Sequence, residues 1–476
     1  MSPSRSARRL SVLAAIAVLL AGCASSIAGQ PIKVGAAEGP VSSNPPAPGP
    51  SGPKPGVAPA NLSVTNDGHT ESDTLAKNTV ADLYEYYGEI FQTDFGKAFV
   101  PAEDLISYDS RVRGPRVCGR SLYREVNASY NRCADTIVWD RGQLLPEMTK
   151  EVGILGPPTV LAHEMGHLVQ NRLGVRTDDV LLAEQQADCY AGAYWRWVAD
   201  GHSKYYDLNQ TEGIRQVLSA MLSVGDPVGT NTSTAGAHGS GFDRSFAFTL
   251  GFGNGARRCS TISSAEVKER ITETGFTVLP KNFGNVPITD EFLGQIAGTV
   301  NSYFEQRVKG YQAPTLTPFQ GGTGPICDGA ATSFPVGYCQ SSNTVSYNLL
   351  ELQRIGTPTA GFNSTNGDFS AVLLVVSRYG LAAQASTGGT ALGNQAGLRG
   401  LCYAGSWGTW MREPRGPNKL KLSPNDLNKA VYQVLASPVP ASDAAGTTST
   451  TVVEQVQALY IGVVFGASQC FDFYSA

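Results

Sequence analysis

The feature that most constrains this chain is a pair of cysteine-led segments roughly 210 residues apart, the mark of an internal repeat. Cys189 opens CYAGAYWRWV and Cys402 opens CYAGSWGTWM; Cys259 closes GFGNGARRC and Cys470 closes GVVFGASQC. Upstream, FVPAEDLISY precedes Cys118 and YQAPTLTPF precedes Cys327, and each is followed by a second cysteine, Cys133 or Cys339, a short hairpin away. A nearly constant offset through several motifs reads as a tandem duplication, with copies over about 75–262 and 285–476 and a linker over 263–284. Length agrees, because 476 residues exceed one ordinary core at roughly 100–200 residues per domain.

The N-terminus says where these cysteines work. Arg5, Arg8 and Arg9 precede an apolar run from Leu10 to Leu20, followed by Leu20-Ala21-Gly22-Cys23. That pattern is an export signal over residues 1–23, and LAGC resembles a bacterial lipobox, whose cysteine becomes a lipidated N-terminus. No later segment offers about 20 unbroken apolar residues, so lipid on Cys23 would be the anchor, on the outer face of the cell membrane. Residues 24–74 are rich in Pro, Gly and Ser and poor in large apolar side chains, and they read as a disordered tether. His69 falls there and reads as solvated. Charged residues are 16% of the chain and the net charge is -4, which gives no basic surface for nucleic acid.

Of the nine cysteines, eight remain once Cys23 is set aside, and outside the cytoplasm an even set implies disulfides. Eight cysteines allow about 105 connectivities. The two-by-two symmetry of the copies favours Cys118 with Cys133, Cys189 with Cys259, Cys327 with Cys339, and Cys402 with Cys470.

Two of the five histidines stand in PPTVLAHEMGHLVQNRLG. Pro157-Pro158 and Gly174 bound a helix from Thr159 to Leu173. His163 and His167 then lie one turn apart on one face, where both imidazoles reach one metal ion, and Glu164 projects beside them as a candidate general base. The next helical stretch, Asp178 to Val198, carries Glu184 and Asp188, again four apart. One can complete the ligand set while the other holds a ligand histidine by its second ring nitrogen. In the second copy the five positions become Ser377, Arg378, Leu381, Gly397 and Leu401, although Gly166/Gly380 and Gln170/Gln384 are kept. Loss of all five groups together is what a lost metal site would leave. His238, in AHGSGFDRSF, faces Ser449 in this comparison and is a candidate for stabilising an oxyanion; His202 reads as surface.

HEMGHLVQ followed by AEQQADCYAG, with VCG and RCADTIVWD upstream, resembles the bacterial neutral zinc metallopeptidase family over about 115–262. HExxH followed by ExxxD is similar to the gluzincin arrangement. The resemblance implies one Zn2+ per chain on His163, His167 and Glu184, with Glu164 as general base and Asp188 orienting a ligand histidine.

The expectation is thus an α+β protein: a mainly helical zincin-like domain with a small sheet, followed by a degenerate copy without metal ligands. TIVWD suggests a sheet edge for an extended peptide, and the glycine-rich stretch 225–241 suggests a flap. The function expected is a lipid-anchored extracytoplasmic zinc endopeptidase acting on peptides or proteins of the cell envelope. The alternative is a catalytically silent lipoprotein that binds or assembles other envelope components. The second copy has three open roles: packing partner, substrate wall or docking surface. Oligomeric state is open.

Overall fold

The computed structural model describes residues 49–227, 229–230, 237–270, 284–359, 366–448 and 450–474. The export signal, Cys23, the first part of the tether, Ser449 and part of the proposed flap lie outside the described residues. The architecture is mixed α+β and about 52% helical.

In chain order the first half contains β1 (Gly52–Pro53), α1 (Glu71–Phe95), β2 (Asp104–Tyr108), β3 (Arg116–Val117), β4 (Arg120–Ser121), β5 (Ala128–Asn131) and β6 (Thr136–Asp140). It continues with α2 (Leu144–Val152), α3 (Gly156–Leu173), α4 (Val180–Ala199), β7 (Tyr206–Asp207), α5 (Glu212–Ser223), α6 (Gly241–Ser260) and α7 (Ser264–Arg270). The second half begins with α8 (Asp290–Glu305), β8 (Thr315–Pro318), β9 (Ile326–Cys327), β10 (Ala330–Ala331), β11 (Val336–Cys339) and β12 (Thr344–Tyr347). Five helices complete it: α9 (Leu349–Gly356), α10 (Asp368–Ser386), α11 (Asn394–Trp410), α12 (Asp426–Ala436) and α13 (Val452–Phe465), then a last short turn of helix, α14 (Ala467–Phe473).

The same order of elements therefore recurs. Each half has a long first helix, a three-stranded sheet with a separate two-stranded hairpin, and a run of helices. The sheets have one topology: β6 lies between β2, to which it is parallel, and β5, to which it is antiparallel. In the second half β12 lies between parallel β8 and antiparallel β11.

Local sequence explains the helix that matters most. The helix α3 has prolines in its first turn and stops at Gly174, whose φ of 77° is the left-handed conformation that glycine adopts without strain. It runs through the middle of the first half, packed by α1, α2, α4 and α5. Two retained residues clamp it to its neighbour. A methyl group on Gly166 would stand 2.7 Å from the Ala187 Cα, so only glycine lets α3 and α4 approach this closely. Gln170 Nε2 donates to the Ala183 carbonyl at 2.7 Å. In the second half Gly380 meets Gly400 in the same way, and Gln384 Nε2 donates to the Ala396 carbonyl at 3.0 Å.

CYAG has an equally direct reason. Gly192 lies against the Phe248 carbonyl and Gly251 against the Cys189 carbonyl, so α4 and α6 touch backbone to backbone. Gly405 and Gly462 place α11 against α13 likewise. Disulfides lie beside both crossings: the Cα atoms of Cys189 on α4 and Cys259 on α6 are 5.4 Å apart, and those of Cys402 on α11 and Cys470 on α14, the short helix after α13, are 5.6 Å apart. The pairs Cys118–Cys133 and Cys327–Cys339 tie each hairpin to its sheet. All four pairs are those the symmetry of the sequence favours. Among the described residues only α10 has the length and apolarity of a membrane span, and 89% of that window is buried inside the protein.

Three expectations are corrected. Residues 49–74 are not tether but part of the first half. β1 pairs with β7, Thr65 bonds to the backbone of Leu105 and Ser107, and Ala60 is buried. Backbone hydrogen bonds to neighbouring strands order a segment whose side chains bury little. The linker 263–284 begins as a helix, α7, packed on α4 with Val267 buried. TIVWD, finally, is the centre of its sheet rather than an edge: β2, earlier in the chain, covers its other side, and the edge strands are β2 and β5.

Candidate metal centre

Helix α3 presents His163 and His167, and α4 presents Glu184 and Asp188. The His163 Nε2 lies 3.2 Å from Glu184 Oε2, and the His167 Nε2 lies 3.4 Å from Glu184 Oε1. One ligand atom from each of the three residues falls within 4.8 Å of the others. Tetrahedral zinc with bonds of about 2.0–2.1 Å holds its ligands roughly 3.3 Å apart, which these separations match.

The outward-facing nitrogens are held separately. His163 Nδ1 stands 2.7 Å from Asp188 Oδ1, and His167 Nδ1 stands 3.0 Å from Gln170 Oε1. Both Nε2 atoms are therefore turned toward Glu184. Such bonds to the second ring nitrogen set the orientation of metal-binding imidazoles. Glu184 Oε2 is buried and makes no hydrogen bond, although His163 Nε2 is close. A buried carboxylate oxygen without a donor is costly unless a cation faces it. The donor set and this oxygen fit a divalent ion such as zinc.

Electrostatics agree. Burial alone would lower His163, but the Asp188 carboxylate, then Glu184, outweigh it and push it up to about 10. Burial likewise works against His167, and Glu184 outweighs it. Burial would raise Glu184, yet the two histidines hold it well below the usual carboxylate range. Asp188 is lowered against its own burial by Arg244 and His163. This is an anionic cage that stabilises positive charge, whether two protons or a dication.

Glu164 lies beside the cage, 9% exposed, and its Oε2 accepts a hydrogen bond of 2.8 Å from the Tyr130 amide on edge strand β5. His238 is half-exposed. Its backbone N–H and that of Gly239 donate to Asp226 Oδ2 at 2.8 Å, and its Nδ1 lies 3.5 Å from Asp226 Oδ1. No hydrogen bond or ion pair joins His238 to the three candidate ligands. His202 stacks on Trp197, and His69 is exposed beside Asp67.

One residue escaped the sequence reading. Arg244, 1% exposed, donates from Nη2 to Asp188 Oδ1 at 2.7 Å and from Nε to Asp188 Oδ2 at 3.1 Å. Its Nη1 donates to the Val224 carbonyl at 2.7 Å. The signal was a lone arginine within the aromatic run GFDRSFAF, together with an Asp188 that needed a cation.

Arg378, wholly buried, donates to the carbonyls of Val439, Ser442 and Asp443. A side chain at Gly397, which the sequence comparison sets opposite Glu184, would collide with the Ala441 carbonyl.

Residues 49–262 match the family model described as "Putative neutral zinc metallopeptidase". The match supports that family for this part of the chain. Uncharacterized proteins of Mycobacterium tuberculosis and Mycobacterium bovis are each 33% identical over 130 residues, covering 23% of this chain and 44% of the relative. The chain thus spans less than half the length of these curated relatives. No solved structure matches.

Proposed function

We propose that the first half is a zinc-dependent peptidase, carried on the outer face of the membrane by lipid on Cys23. The observation that carries the reading is the convergence of two imidazole Nε2 atoms and the Glu184 carboxylate, with Glu164 one residue from a ligand. His163, His167 and Glu184 would hold one Zn2+, which supplies Lewis acidity toward water and the scissile carbonyl. A site kept only for structure would close its fourth position with another protein ligand and has no use for Glu164.

The chain's own groups divide the remaining work. Glu164 takes a proton from the attacking water and passes it to the leaving amine. With its Oε2 held by the Tyr130 amide, Oε1 is the oxygen left for that proton. Asp188 and Gln170 fix the imidazoles. His238, steadied by Asp226, is assigned to the developing oxyanion. Peptides or proteins of the cell envelope are the substrate class that fits an exported, anchored enzyme.

We further infer that residues 285–476 are a degenerate copy of the first half. Recurrence of the elements, of the sheet topology and of both glycine crossings supports this. Arg378 and the 439–442 segment then occupy what was the metal site, and the copy serves as packing partner.

Two experiments test the reading. Glu164→Gln should keep zinc and lose peptidase activity on an unstructured protein substrate by at least about 100-fold; unchanged activity would refute the role. Cys23→Ser should release the protein from membranes into the soluble fraction, and continued membrane attachment would refute the anchor.

A further inference from the structure

The two halves meet through matching elements. The first contributes α5 and α6, and the second contributes α12 and α13, their counterparts in chain order. α5 packs on α12 and α6 on α13, while α6 also meets α12 and α5 meets α13. That reciprocal pattern is the one a two-fold dimer makes, here within one chain. Arg215 donates to the Leu435 carbonyl across it, and Tyr460 stacks on Phe242 and Phe246.

Helix α6 is also the element that carries Arg244. Its first turn has free amides that need acceptors. Ser240 supplies one, accepting from the Asp243 N–H at 3.1 Å. The Phe242 N–H, two residues before Arg244, is satisfied from the other half: it donates to Asn428 Oδ1 at 2.7 Å. Asn428 is 5% exposed, and its Nδ2 donates to Asn425 Oδ1 at 2.7 Å, which turns its oxygen toward α6. A path then runs from Asn428 by a hydrogen bond to the Phe242 N–H, along two residues of α6 backbone to Arg244, and by hydrogen bonds through Asp188 to His163 Nδ1.

We propose that Asn428 is a positioning residue for the metal centre, by which the second half, though without metal ligands, sets the register of α6 and so the hold of Arg244 and Asp188 on His163. This rests on the zinc-peptidase reading of the first half. The second half thereby has a task that needs neither substrate nor a partner protein, and it would have to keep α12 and α13 while losing its own site.

The test is zinc affinity of the full chain, measured by competition with a chromophoric chelator. Asn428→Ala should weaken zinc by about three- to tenfold. Asn428→Asp, which keeps an acceptor for Phe242 and places negative charge at a helix N-terminus, should restore it. Gln457→Ala, which removes a bond from α13 to the Thr249 carbonyl farther along α6, should leave affinity unchanged. Combined with Arg244→Gln, Asn428→Ala should add no further loss, because both act on one series of contacts. Equal zinc affinity in wild type and Asn428→Ala overturns the proposal, as does equal weakening by Gln457→Ala or full additivity with Arg244→Gln. If Asn428→Ala does not fold, Asn428→Leu, which keeps the volume and removes the acceptor, and its cycle with Arg244→Gln decide the matter by the same criteria. A wild-type chain that binds no zinc would refute the metal-site reading instead.

Discussion

Asp188 Oδ1 stands 2.7 Å from His163 Nδ1, and the same carboxylate takes two hydrogen bonds from the Arg244 guanidinium. One buried anion therefore orients a candidate ligand and is itself neutralised by a cation from a third helix. Asp188→Asn preserves the shape and removes the charge. It should weaken zinc by about 10–100-fold, as loss of such a partner does elsewhere, with the far-ultraviolet spectrum unchanged. Asp188→Ala leaves Arg244 buried and unpaired, and it should cost about 3–5 kcal/mol in chemical denaturation.

Zinc must displace protons from the cage. His163 is pushed up to about 10, so near neutrality the metal-free protein holds it as a cation, and the Glu184 carboxylate raises His167 in the same direction. Raised pKa values stabilise the folded metal-free state fully below the ordinary histidine value of about 6.5. That stability is lost as pH climbs through the folded value. Zinc affinity should move the other way, rising with pH between 6 and 8 by at least about tenfold per unit as the His163 proton is released. Calorimetry in buffers of different ionisation enthalpy counts the protons, and none released would contradict the cage.

Gly166 sets the spacing of the two helices that carry the site. Gly166→Ala places a methyl group against Ala187 and should push α3 off α4, weakening zinc by at least about tenfold and costing about 1–3 kcal/mol. Both effects are read from one denaturation series with and without metal. Stability and affinity equal to wild type would show that the crossing has slack.

The disulfide Cys189–Cys259 joins the helix bearing Glu184 and Asp188 to the one bearing Arg244. Replacing both cysteines by alanine should lower stability by about 2–4 kcal/mol. The matching change at Cys402 and Cys470 should cost a similar amount and leave zinc affinity within about twofold, since no candidate ligand lies on α11 or α14.

What could be seen in the sequence was what is local or repeated. Pro157-Pro158 and Gly174 bound α3, and a spacing of four residues puts His163 with His167 and Glu184 with Asp188. The likeness of the two sets of cysteine-led segments made the cysteine pairs visible. What stayed hidden depends on contacts between distant segments. Arg244 meets Asp188 only through the crossing of α6 on α4, and Asn428 reaches α6 from the other half. TIVWD became a central strand because β2, far upstream, pairs in parallel on its second side. Residues 49–74 looked disordered because composition counts apolar side chains, whereas this segment is ordered through backbone bonds to other strands. Gly397 likewise gave no hint that the Ala441 carbonyl would stand against it.

The most direct test of the central claim is metal content, by mass spectrometry of the protein purified without chelators, beside a variant carrying His163→Ala and His167→Ala. The account predicts one zinc per chain in the wild type and none in the variant. Wild-type protein without zinc, or a variant that keeps it, would contradict the assignment of the metal to α3 and α4.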